Sequence, residues 1–238
     1  MRIVKVAVLA TALALIGSSG VAAAAPPKNY CADLKGVDSG QGCQIQMSDP
    51  AYHLDISFPT DYPDEKSLAD YITQERDGFL NVAKSGAPRD QPYELDVTSA
   101  NYGSAIPPRG TQAVVFKVYE NIGAAHPQTT FKAFNWDQSY RKPIVYTTTA
   151  DDNKTTPLWR VDDPLKVVAP IVQSELQKQT GQPVTIAPTA AYDPTNYQQF
   201  AVTNDGVIFF FSQGQLLPEA AGATQVLVPR SAIDPMLA

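Results

Sequence analysis

Twenty prolines are spread along the whole of this 238-residue chain. A proline lacks the backbone N–H and clashes with the preceding helical turn. A chain punctuated in this way folds into short elements and many loops, not a bundle of long helices. Because 44% of its residues are hydrophobic and aromatics recur throughout, it is not a disordered chain.

The N-terminus has the order of a secretory signal. Arg2 and Lys5 give a positive start, and the eleven residues Val6 to Ile16 are apolar except for Thr11. Gly17 to Gly20 then break a helix, and small residues follow from Val21 to Ala25. The run is too short for a membrane anchor, which needs about 20 residues. Cleavage after Ala25 would put Pro26 just past the cut, so the expected cut lies between Ala24 and Ala25. The signal peptide is then 1–24, and the mature chain keeps about 214 residues, enough for a sizeable core. Loss of Arg2 and Lys5 leaves 16 basic against 24 acidic residues, a net charge of −8. That balance argues against a nucleic-acid partner and against an anionic membrane surface.

Cys31 and Cys43 are the only cysteines. In an exported chain an isolated pair is most simply a disulfide. The loop between them holds Gly36, Gly40 and Gly42, so it can bend, and closing it is worth about 3 kcal/mol. The alternatives are two free thiols, or a metal site. Two ligands do not close such a site, and no histidine lies within reach by spacing.

Periodicity predicts a strand over Tyr52–Phe58 and a helix opening at Pro63 and Asp64 and running to about Lys84. Further strands are expected at Tyr93–Thr98, Thr111–Glu120 and Thr129–Trp136. In the second half, Asp162 or Asp163 caps a helix with Pro164 at its first position, Pro170 kinks or restarts it, and Gly181 stops it. Asn204-Asp205-Gly206 signals a hairpin whose return strand, Val207–Phe211, is apolar on both faces. Gln225–Val228 makes a last strand, and a short helix closes the chain. The expected fold class is α+β, a mostly antiparallel sheet with two main helices packed on it. A mature chain of this length fits one large domain or two intimately packed halves.

Catalytic signals are sparse. The histidines are His53 and His126. There is no Gly-x-Ser-x-Gly elbow, no His-Glu-x-x-His, no phosphate loop and no Cys-x-x-Cys. No cofactor or metal is expected. Asp151-Asp152 and Asp162-Asp163 read as caps or solvated loop residues. His53 reads as an ordinary exposed strand residue. His126, in Gly123-Ala124-Ala125-His126-Pro127 between two strands, is the candidate functional loop residue, either locking the turn or serving as a base. Tyr192, Tyr197, Trp159 and Trp136 are candidate binding anchors or core lids.

That turn and the aromatic-rich Phe131–Trp136 resemble the Gly-Ala-His turn of the RsiV family. Phe200–Phe211 resembles that family's Asp-Gly hairpin, and Leu217–Pro229 its Pro, Ala-Gly, Pro pattern. The runs Cys43–Tyr52, Ala105–Val115 and Val226–Asp234 are similar to secreted, immunogenic mycobacterial members of the family. The resemblance implies a β-grasp-like fold, with 25–134 PdaC-like and 135–238 RsiV-like, and export into the medium. In RsiV the module senses lysozyme by binding it. Only five residues precede the apolar run here, so an anti-sigma role is not expected. The chain ends where the metal-binding domain of a PdaC-type deacetylase would begin. The expected function is a secreted, monomeric binding module acting on a host or cell-envelope protein. The alternatives are a weak esterase on small acyl substrates and a structural envelope protein.

Overall fold

The computed structural model describes residues 28–85, 91–106, 110–124, 126–149, 151 and 153–238. The expected cleavage site at Ala24 and Ala25 lies outside them. A short helix α1 (Tyr30–Asp33) leads into strands β1 (Val37–Asp38), β2 (Cys43–Asp49) and β3 (Tyr52–Phe58). Helix α2 (Glu65–Ala83) follows, then β4 (Tyr93–Ser104), β5 (Thr111–Asn121), β6 (Gln128–Asp137), β7 (Lys142–Val145) and β8 (Thr156–Pro157). These strands form one eight-stranded sheet in sequential order. Helices α3 (Leu165–Thr180) and α4 (Pro188–Ala191) precede β9 (Phe200–Val202), β10 (Gly206–Phe211) and β11 (Thr224–Pro229), and α5 (Arg230–Ile233) closes the chain. The last three strands make a second sheet, ordered β11-β10-β9.

The large sheet is mostly antiparallel, with parallel pairing only at β3–β4 and β7–β8. The β3–β4 pair is parallel because α2 carries the chain back across the sheet between them. In a β-grasp the parallel pair is instead the first and last strand of the unit, so the register does not bear out that detail. α2 starts where Asp64 accepts hydrogen bonds from the Ser67 N–H (3.2 Å) and hydroxyl (2.6 Å). Leu68, Ile72, Phe79 and Ala83 are buried on one face of it. They join Leu54, Ile56, Leu95, Val97, Val114 and Phe116 in a core between helix and sheet. Each leucine, isoleucine, valine or phenylalanine among them contributes about 1.5–3 kcal/mol when removed from water.

The two long helices do not share one sheet, as the sequence pattern suggested. α2 packs on β3 and β4, whereas α3 packs on β11. A second core forms there, from Val168, Val172 and Leu176 of α3 with Phe209, Phe211, Val226 and Val228. Two expectations for α3 are corrected. Pro164 itself occupies the N-cap, without a side-chain cap bond, and Asp163 instead pairs with Lys166 at 3.1 Å. α3 also runs through Pro170 as a single helix, because Val168 before the proline and Val172 after it are both anchored in the same core. Gly181, at φ 65°, ends it as expected.

A third, smaller cluster joins the two sheets: Ala113 and Val115 of β5 against Ala201 and Phe210. β5 therefore carries a continuous apolar run, since its alternate residues Val114 and Phe116 face α2. β6 pairs with β7 only at Trp136 and Asp137, which leaves earlier edge N–H groups to be satisfied. Side chains from the second half do so. Gln213 Oε1 accepts from Thr129 N–H (3.2 Å), Ser212 Oγ from Phe131 N–H (3.1 Å) and Gln199 Oε1 from Ala133 N–H (2.7 Å). Arg230, nearly buried at 9% exposure, donates to Ser104 Oγ at 2.8 Å and to Thr203 O at 3.2 Å. It thus ties the end of β4 to the β9–β10 turn.

Candidate functional site: an open polar sheet face

The second sheet covers only part of the face of the large sheet that points away from α2. Over β2, β3 and the start of β4 that face stays open. Strand alternation puts Gln44, Gln46, Ser48, His53, Asp55, Glu94 and Asp96 on it, all exposed, while Cys43, Ile45, Tyr52, Leu54, Ile56, Leu95 and Val97 point into the core. Register places Ser48 opposite His53, His53 opposite Glu94 and Asp55 opposite Asp96. A shallow groove of 480 Å³ runs over Gln46, Ser48, His53, Asp55, Glu94 and Asp96, and no lysine or arginine lines it.

Two short contacts order this surface, beside a longer one from Gln44 Nε2 to Asp55 Oδ1 at 3.5 Å. Gln46 Nε2 donates to Asp55 Oδ2 at 2.8 Å, and Ser48 Oγ lies 2.9 Å from His53 Nδ1. With His53 protonated at Nε2, the hydroxyl donates to Nδ1 and the imidazole is placed to take the Ser48 proton. Glu94 is the neighbouring carboxylate, across the parallel pair.

A second set of ionisable groups lies on the α2 side of the sheet. Burial raises the Glu75 carboxyl above the usual carboxylate range. The Tyr71 hydrogen bond opposes that shift, Glu120 adds to it and Lys132 subtracts from it. Burial likewise raises Glu120, and burial, followed by the Glu75 charge, raises the Tyr71 phenol. The Tyr71 ring packs at a tilt against Phe116 and Phe134, at 5.4 and 5.8 Å between ring centroids, so this cluster closes the core rather than opening a site.

Cys31 and Cys43 form the disulfide, with Cα atoms 5.5 Å apart. His126 is exposed in the β5–β6 turn. That turn bends at Gly123, φ 76°, beside the Tyr93 ring, at the same end of the sheet as Glu94, whose register partner is Asn121. Among the described residues no hydrogen bond to His126 is found. Of the four aromatic candidates, Tyr197 and Trp159 are fully buried in the second core, Trp136 packs against the first, and only Tyr192 is largely exposed. The pattern reading missed Ser48, although the alternation of Gln44, Gln46 and Ser48 with Cys43, Ile45 and Met47 marks β2 as a half-buried strand. No candidate metal cluster of three or more His, Cys, Asp or Glu side chains occurs among the described residues.

The architecture is that of a disulfide-tied, two-sheet module with one uncovered polar face. Residues 157–231 match the family described as protein of unknown function DUF3298. The immunogenic proteins MPB64 of Mycobacterium bovis and MPT64 of Mycobacterium tuberculosis are each 66% identical over 239 residues, covering 100% of this chain and of theirs. The chain belongs to the family of these immunogenic proteins, as the sequence resemblance indicated, and its DUF3298 segment is consistent with a PdaC/RsiV-like module. A protein named esterase Rv3036c, from Mycobacterium tuberculosis, is 46% identical over 237 residues, 99% of each chain. The solved structure of a DUF3298 family protein from Pseudomonas aeruginosa PAO1 covers 83% of this chain and 92% of its own, with a TM-score of 0.50 at 10% identity. That likeness concerns the fold alone.

Proposed function

We propose that this chain is an exported, antigen-type binding module that captures a basic host or cell-envelope protein on its open polar face. The carrying observation is the uncovered β2–β3–β4 surface, with Asp55, Glu94 and Asp96 grouped on it and no lysine or arginine in its groove. Strands held by a packed helix on one side and amides on the other make a pre-ordered surface, and its single sign of charge steers oppositely charged partners. The immunogenic relatives support the antigen role. No helix among the described residues is long and apolar enough to cross a membrane. The side-chain bonds from the second half to the edge of β6 support reading 25–134 and 135–238 as one functional unit. The test is retention of a basic protein from host-cell or envelope extract on the immobilised chain. Retention should fall steeply with added salt, since charge attraction between exposed groups is screened within about 8 Å at 0.15 M; retention insensitive to salt would refute the reading.

A weak esterase activity is the second reading, favoured by the 2.9 Å Ser48–His53 contact and by the relative named an esterase. Ser48 Oγ would attack an exposed acyl carbonyl as its proton passes to His53, which then protonates the leaving alkoxide; water releases the acyl group by the reverse route. The open sheet surface excludes little water, so turnover should be slow. Ser48→Ala and His53→Ala should each abolish p-nitrophenyl acetate hydrolysis while His126→Ala leaves it intact. Loss with His126→Ala alone would move the site to the turn.

A further inference from the structure

Where the two sheets meet, their contact does not close. Beside the small cluster that joins them lies a cleft of 320 Å³, within the size range of sites for small ligands. Its floor is aromatic: the Phe210 ring lies 5.6 Å from Tyr102 and 5.3 Å from Phe131 between centroids. Phe210 is 1% exposed, whereas Tyr102 and Phe131 are half-buried and keep part of each ring accessible. Ala100 on one wall and Ala223 on the other fall where larger side chains would fill the space.

The polar groups of the cleft are few. Lys117 is the one cation among its lining residues. It is exposed, stands opposite Thr98 on β4 and Phe131 on β6, and has no ion pair among the described residues. Asp96, diagonal to it along β4, belongs to the open polar face. An aromatic, water-accessible floor with a lone ammonium and a threonine hydroxyl at its edge matches a molecule with an apolar tail and one carboxylate. We propose that this cleft binds a single medium-chain carboxylate, tail against Tyr102, Phe131 and Phe210 and head at Lys117.

The intact, disulfide-bonded chain, titrated by calorimetry with hexanoate, octanoate and decanoate, should bind one molecule. Affinity should rise about fourfold per added methylene until the cleft is full. Decanol and decyltrimethylammonium, which share the tail but not the charge, should bind at least tenfold more weakly than decanoate. Lys117→Met should weaken decanoate about tenfold and leave decanol unchanged. Ala100→Leu, on an exposed strand position, should fill the cleft and remove binding of both while the circular dichroism spectrum stays native. Equal binding of decanoate and the cationic amphiphile, indifference to Lys117→Met or to Ala100→Leu, or retention only on anionic vesicles without one-to-one binding of decanoate would overturn the proposal.

Discussion

Gly36 shows how tightly single residues are constrained around the disulfide. A Cβ there would lie 2.3 Å from Cys43 Sγ and 2.9 Å from Cys31 Sγ, and a bonded sulfur pair cannot swing aside as a flexible side chain can. Gly36→Ala should therefore cost about 1–3 kcal/mol, the range for overpacking, as read from urea unfolding midpoints. The same substitution in a Cys31→Ala/Cys43→Ala background should cost much less, and equal costs in both would disprove the contact as the cause. Glu120 gives the pH prediction. Burial holds its carboxyl above the ordinary range, so its contribution favours folding while protonated and is lost as pH rises through that range. Glu120→Gln should raise stability at neutral pH by about 0.5 kcal/mol, discounted for its partial exposure. The gain should vanish below the pH at which a free glutamate protonates; thermal unfolding followed from pH 3 to 8 reads both limits.

At the scale of elements, the strongest local signals in the sequence mapped onto the fold directly. The alternation at Tyr52–Phe58, the Pro-Asp opening of α2, the β-branched run of β5 and the Asn-Asp-Gly hairpin each depend on near neighbours, and each is found where expected. β2 carries the same alternation, Cys43, Ile45 and Met47 against Gln44, Gln46 and Ser48, but its exposed side holds no recognisable motif, so Ser48 and the open face become visible only once the strands are paired. The start of α3 departs from its local pattern for a different reason: two aspartates beside Pro164 fit a cap by composition, but the proline takes the N-cap and Asp163 pairs with Lys166. Gly206 is where the hairpin geometry leaves no choice. A Cβ there would stand 2.0 Å from the Val228 carbonyl oxygen on the paired strand β11. Gly206→Ala should cost about 3 kcal/mol, at the upper end of overpacking costs. Amide exchange should show the loss concentrated in β10 and β11; uniform destabilisation of both sheets would argue that the clash is relieved elsewhere.

On the scale of the whole molecule, the layout was the least legible part. Composition and periodicity indicate two long helices and many strands, but nothing local says that the helices pack on different sheets, or that the second sheet leans on β5 and β6 and leaves β2, β3 and the start of β4 uncovered. That arrangement depends on pairs far apart in sequence, such as Arg230 with Ser104 and Gln199 with Ala133. It also decides the site, because the acidic face exists only where the second sheet stops. The comparison that tests this most directly sets Glu94→Lys/Asp96→Lys against Glu175→Lys, a charge reversal on α3, where the half-buried carboxylate pairs with Lys178 and not with the open face. All would be immobilised with the native chain and exposed to the same host-cell and envelope extracts. The account predicts that the basic protein held by the native chain is lost from the double variant and kept by Glu175→Lys. Retention by both, or loss from both, would contradict it.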